Sequence, residues 1–425
     1  MKQVPFWVED HPRPAGLGGD DLPPQTDYLV VGSGLTGLSA ALRIAEAGKT
    51  VTVVDSGEIA GGASSINGGM VSPDVKAGVD TVHTYYGPKV ALEMWESTVR
   101  SVELVEELSR RPGIDAVTHR AGMAALGRGA RQLRAFDRRL AWYRERFSVD
   151  WEMVDAREID RIVGGDAFTI ALYQPGGIGV QPARLSFGLA GEVSRAGAAL
   201  VADCHARAME QTRSGMIVST SKGVVEAGEV ILATNGYTTR APSPELARLV
   251  VPVGSYIIVT EPVGKKVADS IFPTGANTYT RRRLLNYMRR TPDDRILVGG
   301  RRNLHPGLDL AESAEALRKA MVGFWPQLEK VQISHVWGGK LGVPFDLIPH
   351  IGRIDGAWYA LGYAGHGVGL SLQLGHELAG MLLGEDPTSV YATVPHNGRF
   401  YYTGKSSWFL TPASVLYRVL DRLGV

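Results

Sequence analysis

The sequence predicts an α/β protein that contains a dinucleotide-binding unit of the Rossmann type. Two observations predict this class. A strand, a glycine-rich turn, a helix and a second strand that ends in an aspartate follow one another within residues 27–55. A further strand, glycine turn and helix are predicted within residues 357–384. Helical and strand-like segments alternate between these two units, as they do in α/β proteins.

The first unit begins with a short apolar run, residues 28–31, which predicts a buried strand. Gly32, Gly34 and Gly37 follow it in the spacing G-x-G-x-x-G. In dinucleotide-binding proteins the first glycine makes a tight turn, the second lets backbone approach a pyrophosphate, and the third lets a helix pack on the strand. A helix is predicted over residues 36–47, and its N-terminus would offer free N–H groups to phosphates.

Asp55 ends the second predicted strand, residues 51–54, and lies roughly 20 positions after Gly32, the spacing of an acid that accepts a ribose hydroxyl. Residues 56–73 follow and are rich in glycine and small polar residues. Such a segment suits a loop that bends closely around a ligand, with the backbone N–H groups of residues 61–65 near a pyrophosphate. A flexible surface loop is the alternative interpretation.

The composition excludes several classes of protein. The chain has 425 residues, enough for about two or three domains, and its net charge of +1 gives no overall attraction to nucleic acid. Cys204 is the single cysteine, which excludes an internal disulfide and suits a reducing compartment. We find no signal-peptide pattern, no run near the ~18 apolar residues of a membrane span and no metal-ligand spacing. We therefore expect a soluble cytoplasmic protein with no metal site.

The other elements are predicted from apolar periodicity. Residues 1–26 are interpreted as an extended lead-in that Phe6 and Trp7 pin to the body, and residues 391–425 as a separate tail. The strand over residues 229–234 closes on Asn235, where backbone would pass close to a dinucleotide or simply turn. Helices are predicted over residues 88–111, 131–147, 185–196, 368–383 and 411–423, and strands over residues 198–203, 216–219, 253–260, 295–300 and 357–361, with residues 333–342 and 344–352 leading into the last strand.

A second glycine turn, residues 362–367, precedes a predicted helix that Gly384 stops. The N-terminus of that helix would favour anionic charge, such as the charge on a reduced flavin ring. His366 lies at this point and is the histidine that we expect to be functional. The alternative is a cap or surface residue.

Residues 281–302 are rich in arginine. Most of these side chains are expected in solvent, and one or two are expected to meet a substrate carboxylate, although the sequence does not identify which. Tyr256 and Tyr287 are candidates for the wall of a pocket, with a place in the core or in an interface as the alternative. The arginines are Arg281, Arg282, Arg283, Arg289, Arg290, Arg295, Arg301 and Arg302.

Together the motifs resemble the FAD-dependent amine and amino-acid oxidoreductase family, which includes glycine oxidase, sarcosine oxidase and D-amino acid oxidase. The resemblance is greatest to its gamma-glutamylputrescine oxidoreductase-like branch and covers nearly all of residues 5–390. It rests on the segments VVGSGLTGLSAAL, GGASSINGG, PGGIGVQPARL, VILATNGYT, WGGKLGVPFDLIPHIGR and LGYAGHGVGLSLQLG. These motifs are specific for the family but not for a substrate.

The resemblance implies an FAD-binding Rossmann-like domain assembled from separated segments and a substrate domain with a mixed sheet. The implied segments are residues 27–85, 156–245 and 331–390 for the first domain and residues 86–155 and 246–330 for the second. His366, Tyr256, Tyr287 and Asn67 are the candidate catalytic or pocket residues. The candidate FAD contacts are Gly32, Gly34, Leu35, Thr36, Gly37, Asp55, Ser56, Gly62, Ala63, Ser64, Asn67, Gly68, Gly69, Met70, Arg207, Ala233, Thr234, Asn235, Gly236, Trp337, Gly338, Gly339, Gly365, His366, Gly367 and Val368.

Three departures from the family pattern carry information. Ile66 and Asn67 stand where dimethylglycine-type dehydrogenases have a flavin-linking histidine, and Cys204 does not match the linking cysteine of sarcosine oxidase, so non-covalent FAD is expected. Val368 and Gly369 follow the G-H-G motif without the substrate-binding lysine of monomeric sarcosine oxidases, which disfavours a small N-methyl amino acid. The segment RILVGG lacks the lysine that promotes reaction with oxygen in those enzymes, so oxidase and dehydrogenase both stay open.

The expected reaction is oxidation of a C–N bond in an amine or amino-acid-type substrate by hydride transfer to flavin N5. The imine would then hydrolyse, and O2 or another acceptor would reoxidise the flavin. The alternatives are FAD-dependent oxidation of a C–C or C–O bond, a non-catalytic flavin-binding subunit and a nicotinamide-only dehydrogenase. The expected partners are a small amine and an electron acceptor, in a monomer or homodimer, without nucleic acid or membrane.

Overall fold

The computed structural model describes residues 1–301 and 303–423. The described strands form two large sheets and one small sheet. The helices are α1 (Phe6–Asp10), α2 (Leu35–Glu46), α3 (Ala63–Ile66), α4 (Val79–Ser109), α5 (Ala130–Phe147), α6 (Pro182–Arg195), α7 (Lys265–Ile271), α8 (Leu310–Phe324), α9 (Gly367–Leu383) and α10 (Leu410–Leu423). The strands are β1 (Gln25–Val31), β2 (Val51–Val54), β3 (Met70–Val71), β4 (Val117–His119), β5 (Met123–Gly127), β6 (Glu152–Val154), β7 (Ile170–Gln174), β8 (Ile178–Val180), β9 (Ala199–Val201), β10 (Ala206–Gln211), β11 (Met216–Thr220), β12 (Val224–Leu232), β13 (Val251–Thr260), β14 (Asn277–Thr280), β15 (Tyr287–Arg290), β16 (Ile296–Gly300), β17 (Ile333–Val343), β18 (His350–Ile354) and β19 (Ala357–Leu361).

The first sheet is centred on β1, which pairs in parallel with β2 on one side and β12 on the other. Its strand order is β10-β11-β12-β1-β2-β9, and β19 pairs in parallel with the end of β12. The apolar runs in β1 and β2 are buried, as expected for strands inside a parallel sheet. Because these strands come from distant parts of the chain, the sheet is assembled from separated segments, and the predicted α/β class is confirmed.

The second sheet has the order β17-β13-β16-β15-β14-β5-β7-β6 and is mixed, because β14 pairs in parallel with β5 while the other neighbours are antiparallel. Strand β17 pairs with β13 over nearly its whole length. Residues 333–343 and β7 therefore belong to the second sheet, although the predicted bounds place them in the FAD domain. A strand can follow one domain in the sequence and still pair within the sheet of the other domain. The exact bounds of the two domains therefore stay a prediction.

Helices α2 and α9 pack side by side, and both are preceded by glycine turns. The hydroxyl of Ser39 donates to the carbonyl of Leu372 at 2.7 Å. A Cβ atom at Gly375 would collide with the carbonyl oxygen of Thr36, so glycine allows the two helices to approach this closely. Leu38 on α2 is fully buried, and burial of such a side chain stabilises the fold by about 2 kcal/mol. This packing places the N-termini of both helices at the wall of the same cavity.

Most predicted elements are present, and the differences have local causes. The lead-in contains α1, and the prediction that Phe6 and Trp7 pin it is confirmed, because both side chains are buried. Helix α4 begins at Val79, ahead of the predicted start, because its two helical segments meet at Gly87, whose φ is 86°. Strand β10 was not predicted because most of its residues are exposed or half-buried and it lacks an apolar face. Within the described residues, no helix has the length and apolarity to cross a bilayer.

Candidate active site

A cavity of about 890 Å³ lies between the two large sheets and is open to the N-termini of both α2 and α9. This volume is in the upper part of the usual range for ligand pockets. Most of the predicted site residues line it. They are Gly32, Gly34, Leu35, Thr36, Asp55, Ser56, Gly62, Ala63, Ser64, Asn67, Gly68, Met70, Arg207, Ala233, Thr234, Asn235, Tyr287, Trp337, Gly339, Gly365, His366, Gly367 and Val368.

Five predicted residues lie behind the cavity wall, and their contacts explain why. A Cβ atom at Gly37 would collide with the carbonyl oxygen of Gly32, so Gly37 serves the packing of α2 on β1. Gly338 lies against the ring of Tyr256, where a Cβ atom would be 2.8 Å from the ring. Tyr256 itself is 3% exposed, and its hydroxyl accepts the N–H of Leu308 at 2.6 Å. The structure thus places Tyr256 in the core of the second sheet, outside the pocket wall. The set is Gly37, Gly69, Gly236, Gly338 and Tyr256.

The glycine turn after β1 is held open by its neighbours. Gly32 has a φ of 107°, and a Cβ atom there would lie 2.8 Å from the carbonyl oxygen of Ala233. A Cβ atom at Gly34 would lie 2.9 Å from the hydroxyl of Ser64, which accepts the N–H of Leu35 at 3.0 Å. Glycine is therefore required at both positions for the backbone to reach the cavity surface.

The carboxylate of Asp55 lies on the cavity wall and is fixed by its own chain. Its Oδ2 accepts the N–H of Ser33 at 2.8 Å and the hydroxyl of Ser33 at 2.6 Å. Its Oδ1 accepts the N–H of Gly57 at 3.0 Å. A carboxylate has about four acceptor sites, so one remains for a ligand hydroxyl.

The loop between β2 and β3 is organised by Asn67 and two tryptophans. The Asn67 amide donates to the carbonyl of Ser64 at 2.7 Å, and its Oδ1 accepts the N–H of Gly69 at 2.7 Å. The indole N–H of Trp7 donates to the Asn67 carbonyl at 2.9 Å. The indole N–H of Trp337 donates to the preceding carbonyl, that of Ile66, at 2.7 Å. The Asn67 side chain is occupied by backbone, so it shapes the loop beside the cavity.

His366 precedes α9 and faces the cavity with a neutral imidazole. Burial lowers the pKa of His366 to about 3, and the positive charges of Lys76 and Arg139 act in the same direction. Its Nδ1 atom is buried and has no hydrogen-bond partner among the described residues. A buried polar atom without a partner is rare in proteins and indicates a place for a ligand atom.

Sequence reasoning did not identify Lys76, Asp74 and Arg139 as part of the site. Lys76 lines the cavity, and burial together with Arg301 lowers its pKa to about 8. Arg139 on α5 forms a 2.6 Å ion pair with Asp74, and both line the same cavity. Most arginines of α5 are exposed, and no pattern in the sequence singles out Arg139 for the site. The one signal for Lys76 was its position shortly after the glycine-rich loop.

The arginine-rich segment divides into three groups. Arg281, Arg282 and Arg301 line the cavity. Arg289 is fully buried and donates to the carbonyls of Gly69 at 2.7 Å and Val180 at 2.9 Å, and to the hydroxyl of Thr118 at 2.8 Å. The others lie on the surface side: Arg290 and Arg295 pair with carboxylates, and Arg283 lies over the ring of Tyr417. Arg302 lies outside the described residues.

One large cavity is bordered by a glycine turn, by the acid after β2 and by a second helix N-terminus, an arrangement typical of dinucleotide-dependent enzymes. Residues 27–381 match the family model described as FAD dependent oxidoreductase (DAO), so the chain belongs to this family. It is an FAD-dependent oxidoreductase of the amine and amino-acid type, acting on a small molecule and passing electrons to an acceptor.

Relatives of known name agree with this assignment. The chain is 30% identical to gamma-glutamylputrescine oxidoreductase of Escherichia coli over 404 residues, which cover 94% of this chain and 93% of the relative. It is 28% identical to glycine oxidase of Pseudomonas aeruginosa over 371 residues, covering 84% and 95%. The structure of glycine oxidase from Geobacillus kaustophilus superposes with a TM-score of 0.74 at 20% identity, covering 88% of this chain and 100% of that chain. The predicted family and its FAD dependence are confirmed.

The residues of the cavity fit FAD. Gly32 and Gly34 leave room for phosphate at the N-terminus of α2, where N–H groups and the helix dipole favour negative charge. Asp55 retains an acceptor for a ribose hydroxyl. The N-terminus of α9 and the unpartnered Nδ1 of His366 are polar groups that would be available to the ring system.

Proposed function

We propose that this protein oxidises the C–N bond of an amine or amino-acid-type substrate to an imine, which water then hydrolyses. The observation that carries the proposal is the single cavity in which the two glycine-led helix starts converge beside His366 and a group of basic side chains. The relationship to named amine and amino-acid oxidoreductases supports it. FAD, when bound, supplies an acceptor at N5 for the hydride on the carbon next to nitrogen.

The basic side chains of the cavity favour the reactive form of the substrate. A hydride leaves readily only when the neighbouring nitrogen is neutral, because its lone pair then stabilises the positive charge that develops. Lys76 and Arg301 line the cavity, and nearby positive charge lowers the pKa of a bound ammonium group. The site thus promotes loss of the amine proton to solvent, and we assign no side chain as general base.

The N-terminus of α9 and His366 have an electrostatic role in this proposal. Negative charge that develops at the pyrimidine end of a flavin is stabilised by helix N–H groups and by a neutral imidazole that donates or accepts a hydrogen bond. Met70, Trp337 and Tyr287 line the cavity, and in this proposal they form its substrate side. Burial raises the pKa of Tyr287, so its hydroxyl keeps its proton and is within 3.1 Å of the Ser255 hydroxyl. Hydrogen bonds within the protein hold Trp337 and Tyr287 at the Ile66 carbonyl and the Ser255 hydroxyl, respectively.

Anaerobic mixing of the yellow holoenzyme with candidate substrates tests the proposal. We expect amines and N-alkyl amino acids to bleach the flavin absorbance, while alcohols and hydroxy acids of equal length leave it unchanged. Bleaching by the alcohols alone would favour the alternative, oxidation of a C–O bond. Oxygen consumption during turnover then distinguishes O2 from another acceptor.

Three further properties belong to the proposal. We infer that FAD is held without a covalent bond. The amide of Asn67 donates to the carbonyl of Ser64 in its own loop, and the side chain of Ile66 carries no nucleophile. Release of the flavin into solution by acid precipitation tests this.

The buried free thiol of Cys204 supports a reducing, cytoplasmic location, which fractionation of cells tests. Sedimentation measures whether the holoenzyme is a monomer or a homodimer.

A further inference from the structure

Two cavity arginines lie at the same edge of the second sheet. Arg281 follows the end of β14, and Arg301 follows the end of β16. Strand β15 lies between these strands and is antiparallel to both, so β14 and β16 run in the same direction. Their carboxyl ends therefore meet at one edge of the sheet.

The register makes the two positions equivalent. Tyr279 of β14 and Gly299 of β16 both pair with Tyr287 of β15. Arg281 and Arg301 each lie two residues beyond this line, on the face that a period of two assigns to Tyr279 and Gly299. With neighbouring strands ~4.8 Å apart, their Cα atoms are separated by about 10 Å. Both side chains, and Tyr287 between them, line the cavity.

The guanidinium groups of Arg281 and Arg301 lack the ion pairs that other arginines form, and Arg281 lies over the ring of Phe136 at 5.8 Å. Arg139 is paired with Asp74 at 2.6 Å, and Arg290 and Arg295 form ion pairs with aspartates. Among the described residues, no ion pair involves Arg281 or Arg301. The Nε atom of Arg301 is buried without a hydrogen-bond partner. Burial lowers the pKa of Arg301, and burial together with the positive charge of Arg139 lowers the pKa of Arg281.

We propose that the substrate is an amine that carries two carboxylate groups, one bound by Arg281 and the other by Arg301. This inference rests on the proposed function and adds the substrate's charge. Arginine binds carboxylates through two parallel hydrogen bonds, so two cavity arginines without ion pairs, with Cα atoms about 10 Å apart, suit two separated acids. The amine lies between them, beside Tyr287. A diamine is disfavoured because its second ammonium group would face two cations.

Binding of inert acids to the holoenzyme tests the proposal without any oxidation. Adipate carries two carboxylates, and hexanoate carries one on a chain of the same length. Isothermal titration calorimetry should show adipate binding at least ~10-fold more tightly, since each charge-assisted contact contributes a factor of this size or more. Equal dissociation constants for the two acids would overturn the proposal.

Variants assign the two contacts. Arg281→Gln and Arg301→Gln should each reduce adipate affinity to nearly that of hexanoate, and Arg301→Lys should restore part of it. Arg283→Gln is the matched control, because Arg283 belongs to the same segment but lies outside the cavity, over the ring of Tyr417. Unchanged flavin absorbance shows that a variant is folded. Loss of affinity in Arg283→Gln alone would contradict the assignment.

Three substrates of matched length extend the test to turnover. N-(carboxypropyl)glycine should reduce the flavin with a kcat/KM at least ~10-fold above that of N-butylglycine, and N-(aminopropyl)glycine should be the poorest. Equal rates for the three would refute the dicarboxylate proposal while leaving amine oxidation intact. Absence of reduction by every amine, with tight adipate binding retained, would refute the proposed function alone.

Discussion

The hydroxyl of Thr36 on α2 lies 2.7 Å from the hydroxyl of Tyr363, in the turn before α9. The bond is buried and joins residues 36 and 363, one from each glycine-led helix start. Burial raises the pKa of Tyr363 well above its usual range, so this hydroxyl stays protonated. The pair fixes the distance between the two helix N-termini that face the cofactor cavity.

Tyr363→Phe should therefore weaken both the fold and the cofactor site. Loss of one buried hydrogen bond, with Thr36 left unsatisfied, should lower the free energy of unfolding by about 1–3 kcal/mol. The dissociation constant for FAD should rise, because the two helix starts are no longer tied together. Chemical denaturation and FAD titration of the apoprotein measure these effects. Unchanged values for both would show that packing alone sets the distance.

Alanine substitutions should show whether a glycine is needed for close packing or only for its backbone freedom. In Gly37→Ala the new methyl group would collide with the carbonyl of Gly32, which should destabilise the protein by about 1–3 kcal/mol and reduce FAD content. Gly176→Ala is the matched control, because nothing lies within 4 Å of its added Cβ atom. Thermal unfolding with flavin fluorescence distinguishes the two. Equal losses would mean that α2 tolerates a shift away from β1.

The rate of flavin reduction should change with pH as Lys76 loses its proton. Its pKa is lowered to about 8, so its positive charge in the cavity is lost as the pH rises through this value. The rate of flavin reduction in Lys76→Arg, which keeps the charge, should exceed that of the wild type increasingly above pH 8. Lys76→Met should lack this change. Stopped-flow reduction between pH 6 and 10 tests this, and identical profiles for all three proteins would exclude a role for Lys76.

Acid should destabilise the protein below about pH 6.5. Burial, with a contribution from His350, lowers the pKa of His396 to about 3 in the folded state. The unfolded chain then binds more protons than the folded chain between pH 6.5 and 3, so stability falls as the pH falls. His396→Gln should show a smaller drop in Tm from pH 7 to pH 5. His305→Gln, at an exposed site, should retain the drop of the wild type, and a retained drop in both variants would assign the effect elsewhere.

Helix α10 should affect substrate binding and leave FAD in place. The carboxylate of Asp421 accepts the N–H groups of Arg283 at 2.8 Å and Leu284 at 3.0 Å, in the segment that carries Arg281. Asp421→Asn should raise KM for the amine several-fold at nearly constant kcat and with an unchanged flavin spectrum. Glu210→Gln on the exposed strand β10 serves as the control. A change of KM in both variants would indicate a general loss of stability instead.

The sequence was sufficient for the features that depend on local pattern. The spacing of Gly32, Gly34 and Gly37 and the acid at Asp55 predict the first unit, and the glycine turn before His366 predicts the second. These patterns identify residues of the cavity lining, such as Gly32, Gly34, Asp55 and His366. Their side-chain roles toward FAD stay predictions, as do the domain bounds.

The substrate side depended on long-range geometry that no local pattern contains. Arg281 and Arg289 lie in one arginine-rich segment, yet one faces the cavity and the other is buried against the carbonyls of Gly69 and Val180. Their difference follows from strand register and direction. Arg139 likewise enters the site because α5 packs where Asp74 can pair with it. The sequence makes Tyr256 a candidate for the pocket wall because it lies on a predicted strand. The two faces of that strand differ: Ser255 and Ile257 line the cavity, while Tyr256 points into the core.

The buried guanidinium of Arg289 bears on how the enzyme moves. Arg289 belongs to β15. Its hydrogen-bond acceptors are Gly69 in the loop between β2 and β3, Thr118 in β4 and Val180 in β8, the last two in the small sheet. A movement that separated the second sheet from the small sheet would break these hydrogen bonds of a buried cation, at a cost of about 1.5–3 kcal/mol for each. We therefore expect the second sheet, the small sheet and the loop between β2 and β3 to move together as one unit.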